Sequence, residues 1–144
     1  MRLIVSQAIK FILVGVLNTL VDLGVLNLLI WAFGIYSGFG YSAFKGISFT
    51  VAVINSYFLN KFWTFKMRET EGVKREFAQF FIVSLIGFGI NVGVASFVVN
   101  VVGPQFGLGS KLWANVGAIY ATFAAMSWNF LGYKFIVFKP NQHA

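Results

Sequence analysis

The sequence has no cysteine, one histidine and only four acidic residues, and each shortage excludes a kind of chemistry. Without cysteine, neither a disulfide framework nor a thiolate metal site can form. The histidine, His143, lies in the terminal tail, no pair of carboxylates lies within an apolar stretch, and no glycine-rich phosphate loop follows a predicted strand. We therefore expect a protein that is not an enzyme and that holds no metal and no cofactor.

Charge of either sign is also scarce, at 10% of residues against 58% hydrophobic ones, and the mean hydropathy is +0.80. Four apolar stretches approach or exceed the ~20 residues that a helix needs to cross a bilayer. A soluble four-helix bundle is disfavoured, because its helices would each carry one charged face. The N-terminal run imitates a signal peptide but is too long and lacks a cleavage pattern. We predict a single all-α integral membrane domain over residues 1–144, with spans at about 11–33, 41–59, 78–102 and 112–131.

The cations are distributed unevenly around these spans. Only Lys45 and Lys111 fall toward the side away from the termini. The other nine lie near the termini or in the middle loop: Arg2, Lys10, Lys61, Lys66, Arg68, Lys74, Arg75, Lys134 and Lys139. By the positive-inside rule both termini are cytoplasmic. The net charge of +7 would then face anionic lipid headgroups or phosphates, unless it only sets topology.

The two halves of the chain resemble each other. A shift of 69 residues aligns 10–34 with 79–103, and a shift of 73 aligns the second helix of each half with its counterpart. We expect the additional residues in the longer outer loop "GPQFGLGSK". Each half then ends in a basic, aromatic hexapeptide, "KFWTFK" at 61–66 and "KFIVFK" at 134–139. The pattern predicts two helical hairpins of the same orientation, related as a parallel repeat.

The middle loop contains "ETEGVKREFAQFF", in which apolar residues recur at helical spacing beside two cations. This pattern predicts a short amphipathic helix at the cytoplasmic interface. An ordinary solvated loop is the alternative.

Asp22 is the one acidic residue inside a predicted span, with Asn18 one turn away and Asn91 as its repeat counterpart. A carboxylate near the bilayer centre needs a partner, water or substrate, so it marks either a functional site or a hydrogen bond between helices. Lys45 lies about a turn inside the outer boundary, where its stem can snorkel or its charge can meet a phosphate.

Lys61 and Lys134 each end a span beside aromatic residues, which suits either a phosphate on an apolar tail or simple interfacial anchoring. The predicted substrate-binding residues combine these cations with polar residues of the spans and of the first hexapeptide. They are Asn18, Asp22, Lys45, Asn55, Asn60, Lys61, Trp63, Asn91, Lys111, Asn129 and Lys134.

Four segments of the chain resemble the GtrA-like family of small four-span bacterial membrane proteins. They are "FILVGVLNTLVDLGVLNLL", "NSYFLNKFWTF", "EFAQFFIVSLIGFGIN" and "NFLGYKFIVFK", of which the aromatic and basic endings are the most specific. The resemblance implies a protein of the bacterial inner membrane that flips a polyprenyl-phosphate-linked sugar for glycosylation of cell-surface polysaccharide. Its implied partners are that lipid, the surrounding membrane lipids and a membrane glycosyltransferase, with no nucleic acid.

At 16.0 kDa one copy encloses little volume, so a homodimer is an open expectation. Two other functions stay open: a scaffold for a glycosyltransferase that transports nothing, and a small proton-coupled drug exporter. The basic middle loop and the repeated endings favour the flippase and the scaffold over the exporter.

Overall fold

A computed structural model describes residues 1–36, 38–69 and 71–139. These residues form four α-helices: α1 (Arg2–Phe33), α2 (Gly38–Leu59), α3 (Val73–Ser96) and α4 (Ser110–Gly132). Wider π-helical segments continue three of them, at Asn60–Thr64, Phe97–Val102 and Tyr133–Val137. No strand occurs in the described part of the chain, so the predicted all-helical class is confirmed.

Two helical stretches are both long and apolar enough to qualify clearly as membrane spans. They are Arg2–Phe33, and Val73–Val102, which joins α3 to its π-helical continuation. With 22 and 23 residues, α2 and α4 have the length to cross a hydrocarbon core of ~30 Å but are less apolar. The four-span arrangement therefore stays a prediction for α2 and α4.

The chain forms two compact units, of which the first is Met1–Glu71. Here α1 and α2 run antiparallel, because Asp22 pairs with Lys45 near the connection and Lys10 meets the Trp63 carbonyl at the far end. The connection begins at Gly34, whose φ of 66° is a left-handed conformation that glycine adopts without strain. Its N–H donates to the Ile30 carbonyl at 2.7 Å and so caps α1.

The second unit, Gly72–Ala144, pairs α3 with α4, again antiparallel. The indole N–H of Trp113 donates to the Val98 carbonyl at 2.8 Å, and that of Trp128 to the Val83 carbonyl at 3.0 Å. The connection from Val102 to α4 is longer than the one between α1 and α2, as the predicted insertion requires.

The two helices of this second unit approach closely at Gly87. A Cβ placed on Gly87 would collide with the Asn129 side-chain oxygen, so any larger residue at this position on α3 would force the Asn129 side chain to move.

The predicted separate interfacial helix is wrong. The segment is helical from Val73, but it continues without a break into α3. The physical reason is local: between Val73 and Gly87 no glycine or proline interrupts the helix, and Gly72, with φ 73°, sets the start just before it.

Candidate functional site

The Asp22 carboxylate and the Lys45 ammonium form an ion pair across the first hairpin. The Ser48 hydroxyl, one turn along α2, donates to the other carboxylate oxygen at 2.6 Å. From the sequence, Lys45 was expected to snorkel or to meet a phosphate. In the structure it pairs with Asp22 instead, because an unpaired carboxylate in hydrocarbon is costly and Lys45 lies opposite that carboxylate. The side chains are 44% (Lys45) and 21% (Asp22) exposed, so the pair remains accessible from one side.

A column of small and polar residues continues from this ion pair along one face of α2. Its members recur every four residues, so successive turns place them on the same side of the helix. All five are buried: Ser48, Ala52, Ser56, Asn60 and Thr64. The column therefore ends within the π-helical segment, beside Lys61.

Part of this column has no hydrogen-bond partner within the described residues. The Asn60 amide donates to the Ser56 carbonyl at 2.9 Å and to the Ser56 hydroxyl at 3.1 Å, yet its oxygen accepts nothing. The Thr64 hydroxyl and the Asn18 side-chain oxygen, in the same hairpin, are also unpartnered. Buried polar groups are normally satisfied, so these atoms mark places where a ligand or water would be favourable.

Lys61 lies at the end of the column, and only 2% of its surface is exposed. Its ammonium donates to the Tyr57 hydroxyl at 3.4 Å and lies 5.7 Å and 5.8 Å from the ring centroids of Tyr57 and Phe62. These distances are within the range of cation–π attraction. A cation is thus held within an aromatic cage instead of projecting into a headgroup region.

The second hexapeptide reproduces this cage. Lys134 lies 5.8 Å from the centroids of both Phe130 and Phe135, which are the repeat counterparts of Tyr57 and Phe62. Both lysines also lie in π-helical turns, a distortion that recurs at functional sites. The repeat seen in the sequence is therefore a repeat of side-chain geometry.

The polar column itself is not repeated. Seventy-three residues beyond Ser48, Asn60 and Thr64 stand Ala121, Tyr133 and Val137, and only the Ser56 position stays polar, as Asn129. Tyr133 is satisfied, since its hydroxyl shares a 2.7 Å hydrogen bond with that of Ser84. Of the two corresponding columns, the one in the first hairpin therefore has more polar side chains.

The remaining predicted site residues are not brought together. Asn55 and Asn91 are half-buried, and Lys111 is exposed with its carbonyl accepting from the Asn115 amide at 2.9 Å. Trp63 contacts Lys10 through its carbonyl and its ring. Asn129 packs at Gly87, and its side-chain oxygen lacks a partner among the described residues.

Sequence reasoning did not assign Ser48, Ser56, Thr64 and Tyr57 to the site. A signal was present for the first three, since they stand at four-residue spacing with Asn60 along an otherwise apolar helix. Tyr57 gave no such signal, because tyrosines near a span end are common interfacial residues.

Comparison with known proteins places this architecture in a family. Residues 10–138 match the family described as GtrA/DPMS, transmembrane domain. The chain belongs to this family. It is also 31% identical to the uncharacterized membrane protein YngA of Bacillus subtilis (strain 168) over 130 residues, which are 90% of this chain and 77% of YngA. No solved structure matches.

Membership of the GtrA/DPMS family confirms the predicted relationship and the membrane location. The matched segment contains the ion pair, the polar column, the first hexapeptide and all of the second except Lys139. The site offers a caged cation, an internal ion pair and unsatisfied oxygen atoms, and no group of histidine or acidic side chains suited to a metal occurs in the described part of the chain. A caged cation can bind an anion, unsatisfied oxygen atoms can accept hydrogen bonds from hydroxyls, and an ion pair compensates its own charge.

Proposed function

We propose that this GtrA/DPMS protein moves a polyprenyl-phosphate-linked sugar from the cytoplasmic to the outer leaflet of the bacterial inner membrane, where the sugar glycosylates cell-surface polysaccharide. The observation that carries the proposal is the polar column of α2, which joins Lys61 to the Asp22–Lys45 pair inside an otherwise apolar hairpin. The protein acts by binding and translocation, not by catalysis.

Each part of the carrier lipid has a counterpart in the first hairpin. Sugar hydroxyls lose water when they enter hydrocarbon, and Asn60, Thr64 and Asn18 supply side-chain oxygens that have no hydrogen-bond partner among the described residues. The lipid phosphate requires a cation, which Lys61 supplies from its aromatic cage; Lys134 offers the same group in the second hairpin. The polyprenyl tail stays outside, along the exposed apolar faces of the helices.

The Asp22–Lys45 pair has a distinct role in this proposal. As a pair it adds no net charge to the hairpin, and in opened form it presents a cation to the phosphate and a carboxylate to hydroxyls. The same pairing disfavours the drug exporter, because a proton-coupled carboxylate must be free to take up a proton and Asp22 is held by Lys45 and Ser48.

A scaffold for a membrane glycosyltransferase is the second candidate. It is favoured by exposed aromatic side chains in the hexapeptides, such as Phe62 at 51% and Phe135 at 58%. These rings would form a docking surface for the enzyme, which is the partner expected in either function. Transport by the purified protein separates the two.

The decisive experiment reconstitutes the purified protein in liposomes with a polyprenyl-phosphate sugar and measures its appearance in the opposite leaflet. We expect transport well above that of protein-free liposomes. Lys66→Gln, at the exposed end of the same hexapeptide as Lys61, is the matched control for Lys61→Gln. Transport by the parent no faster than in protein-free liposomes would rule out the flippase and leave the scaffold.

The proposed topology places both termini and residue 71 in the cytoplasm and both outer connections on the opposite side. Because the chain has no cysteine, single cysteines at Tyr36, Glu71 and Gln105 need no prior removal of native ones. We expect an impermeant thiol reagent outside intact cells to label positions 36 and 105 but not 71. Labelling at 71 as well would contradict the two-hairpin topology.

A further inference from the structure

A groove that the polar column does not use lies at the beginning of α1. The start of α1 lines it with Arg2, Val5, Ser6, Ile9, Lys10 and Leu13, and Trp63 closes it from the π-helical segment after α2. Its volume is about 550 Å³, which is within the range of ligand sites. Apart from Arg2, Lys10 and Ser6, the residues that line it are apolar or aromatic.

The length of α1 places this groove at headgroup depth. At ~1.5 Å per residue its 32 residues extend ~48 Å, whereas the hydrocarbon core is ~30 Å thick. The turns before Phe11, where the predicted span starts, therefore project into the interface. Tryptophan is enriched at the membrane interface, so Trp63 and the α1 face opposite it are both expected at that depth.

The charges of the groove are suited to a phosphate. Arg2 and Lys10 contribute two cations, and none of the lining side chains is acidic. Lys10 lies 5.8 Å from the Trp63 ring centroid, and its ammonium is 3.5 Å from the Trp63 carbonyl, which holds it at the mouth. Arginine offers two parallel N–H groups to phosphate oxygens. Basic pockets between membrane helices bind anionic phospholipid headgroups in this way.

We infer that this groove binds an anionic phospholipid of the surrounding leaflet, with its phosphate between Arg2 and Lys10, its glycerol region against Val5 and Ile9, and an acyl chain that enters the hydrocarbon at Leu13. The sugar-linked carrier is a poorer fit, because Ser6 is the one uncharged polar side chain that lines the groove, whereas the α2 column has four, Ser48, Ser56, Asn60 and Thr64. The bound lipid bridges the start of α1 and the end of α2. This site does not depend on transport.

Native mass spectrometry of the purified protein tests the site with three lipids: phosphatidylglycerol, zwitterionic phosphatidylcholine and undecaprenyl phosphate. We expect phosphatidylglycerol to bind most tightly. The variant Arg2→Gln/Lys10→Gln should bind it roughly 25-fold more weakly, since each cation near a lipid surface contributes about fivefold. The matched control Lys66→Gln/Arg68→Gln removes the same charge from the same unit outside the groove, and it should bind like the parent.

Three results would overturn the inference. Equal losses in both double variants would mean general attraction by the basic surface, and no loss in the groove variant would remove the phosphate contact. Tighter binding of undecaprenyl phosphate than of phosphatidylglycerol would assign the groove to the carrier. If the groove double variant does not fold, Lys10→Gln alone decides the matter, with about a fivefold loss expected and unchanged binding refuting the site.

Discussion

The ion pair of Asp22 and Lys45 allows a quantitative test of how the first hairpin is held together. Removing one partner strands the other charge in a low-dielectric environment, whereas removing both leaves no charge to strand. We consider Asp22→Asn, Lys45→Met and the double variant. Asparagine keeps the shape of the carboxylate and its ability to accept from Ser48 at 2.6 Å, so the cycle isolates the contact with Lys45.

The structure predicts unequal costs for the single variants. Lys45→Met leaves the Asp22 carboxylate without its partner. Because this short side chain is only 21% exposed, the loss should cost about 2.5–3.5 kcal/mol. Asp22→Asn leaves a 44% exposed lysine whose long stem can carry its charge toward water, so a smaller cost of about 1–2 kcal/mol is expected. The double variant should lie within about 1 kcal/mol of the parent, which corresponds to a coupling of about 4 kcal/mol.

Reversible unfolding in mixed micelles, followed by circular dichroism, measures these free energies. Additive single effects, with a coupling below about 0.5 kcal/mol, would refute the reasoning, since independent sites behave in that way. Transport by the double variant then gives the role of the pair. A stable but inactive double variant means that the pair takes part in translocation, and a stable and active one means that it only joins α1 to α2.

Three further predictions concern single positions, each with its own readout. Lys61→Gln should reduce surface glycosylation because it removes the cation proposed for the lipid phosphate, and it should also destabilise the first hairpin through lost attraction to two rings, worth ~0.5–2 kcal/mol each; Lys66→Gln should do neither, and equal effects would make both lysines topological anchors. Gly87→Ala should destabilise the second hairpin by about 1–3 kcal/mol through overpacking, while Gly89→Ala, which has open space around it, should be neutral or stabilising in the same unfolding measurement. Thr64→Val removes a buried hydroxyl that has no partner in the described part of the chain, so the free energy of unfolding should rise by about 1 kcal/mol while transport falls; a loss of stability would reveal a partner for the hydroxyl.

Much of the architecture could be read from the sequence because membrane helices are specified locally. Every backbone group must be paired within its own segment, so length and hydropathy are enough to predict where a helix forms. The predicted first span ends at Phe33, as α1 does, because Gly34 caps it. The repeated hexapeptides could be recognised for a similar reason, since a lysine and its caging rings are at most four residues apart on one helix.

The interfacial helix shows the limit of local reading. Amphipathic spacing from Val73 onward predicted helix correctly, but spacing alone does not show whether that helix bends before the apolar stretch begins. No residue in the sequence imposes a break there, and the segment is simply the first part of α3.

The partners of the polar side chains were decided only by the tertiary structure. Lys45 and Asp22 are 23 residues apart, and their pairing depends on how α1 and α2 rotate about their axes, which hydropathy does not specify. The same rotation turns Ser48, Ser56, Asn60 and Thr64 inward as one column and buries Lys61, which by sequence alone is an interfacial cation like Lys134. Composition along the chain thus determined that this protein is helical and resides in a membrane. The packing of one helix against the next decided which of the few polar atoms meet. Contacts between two helices depend both on how each helix is rotated about its axis and on how far it is shifted along that axis.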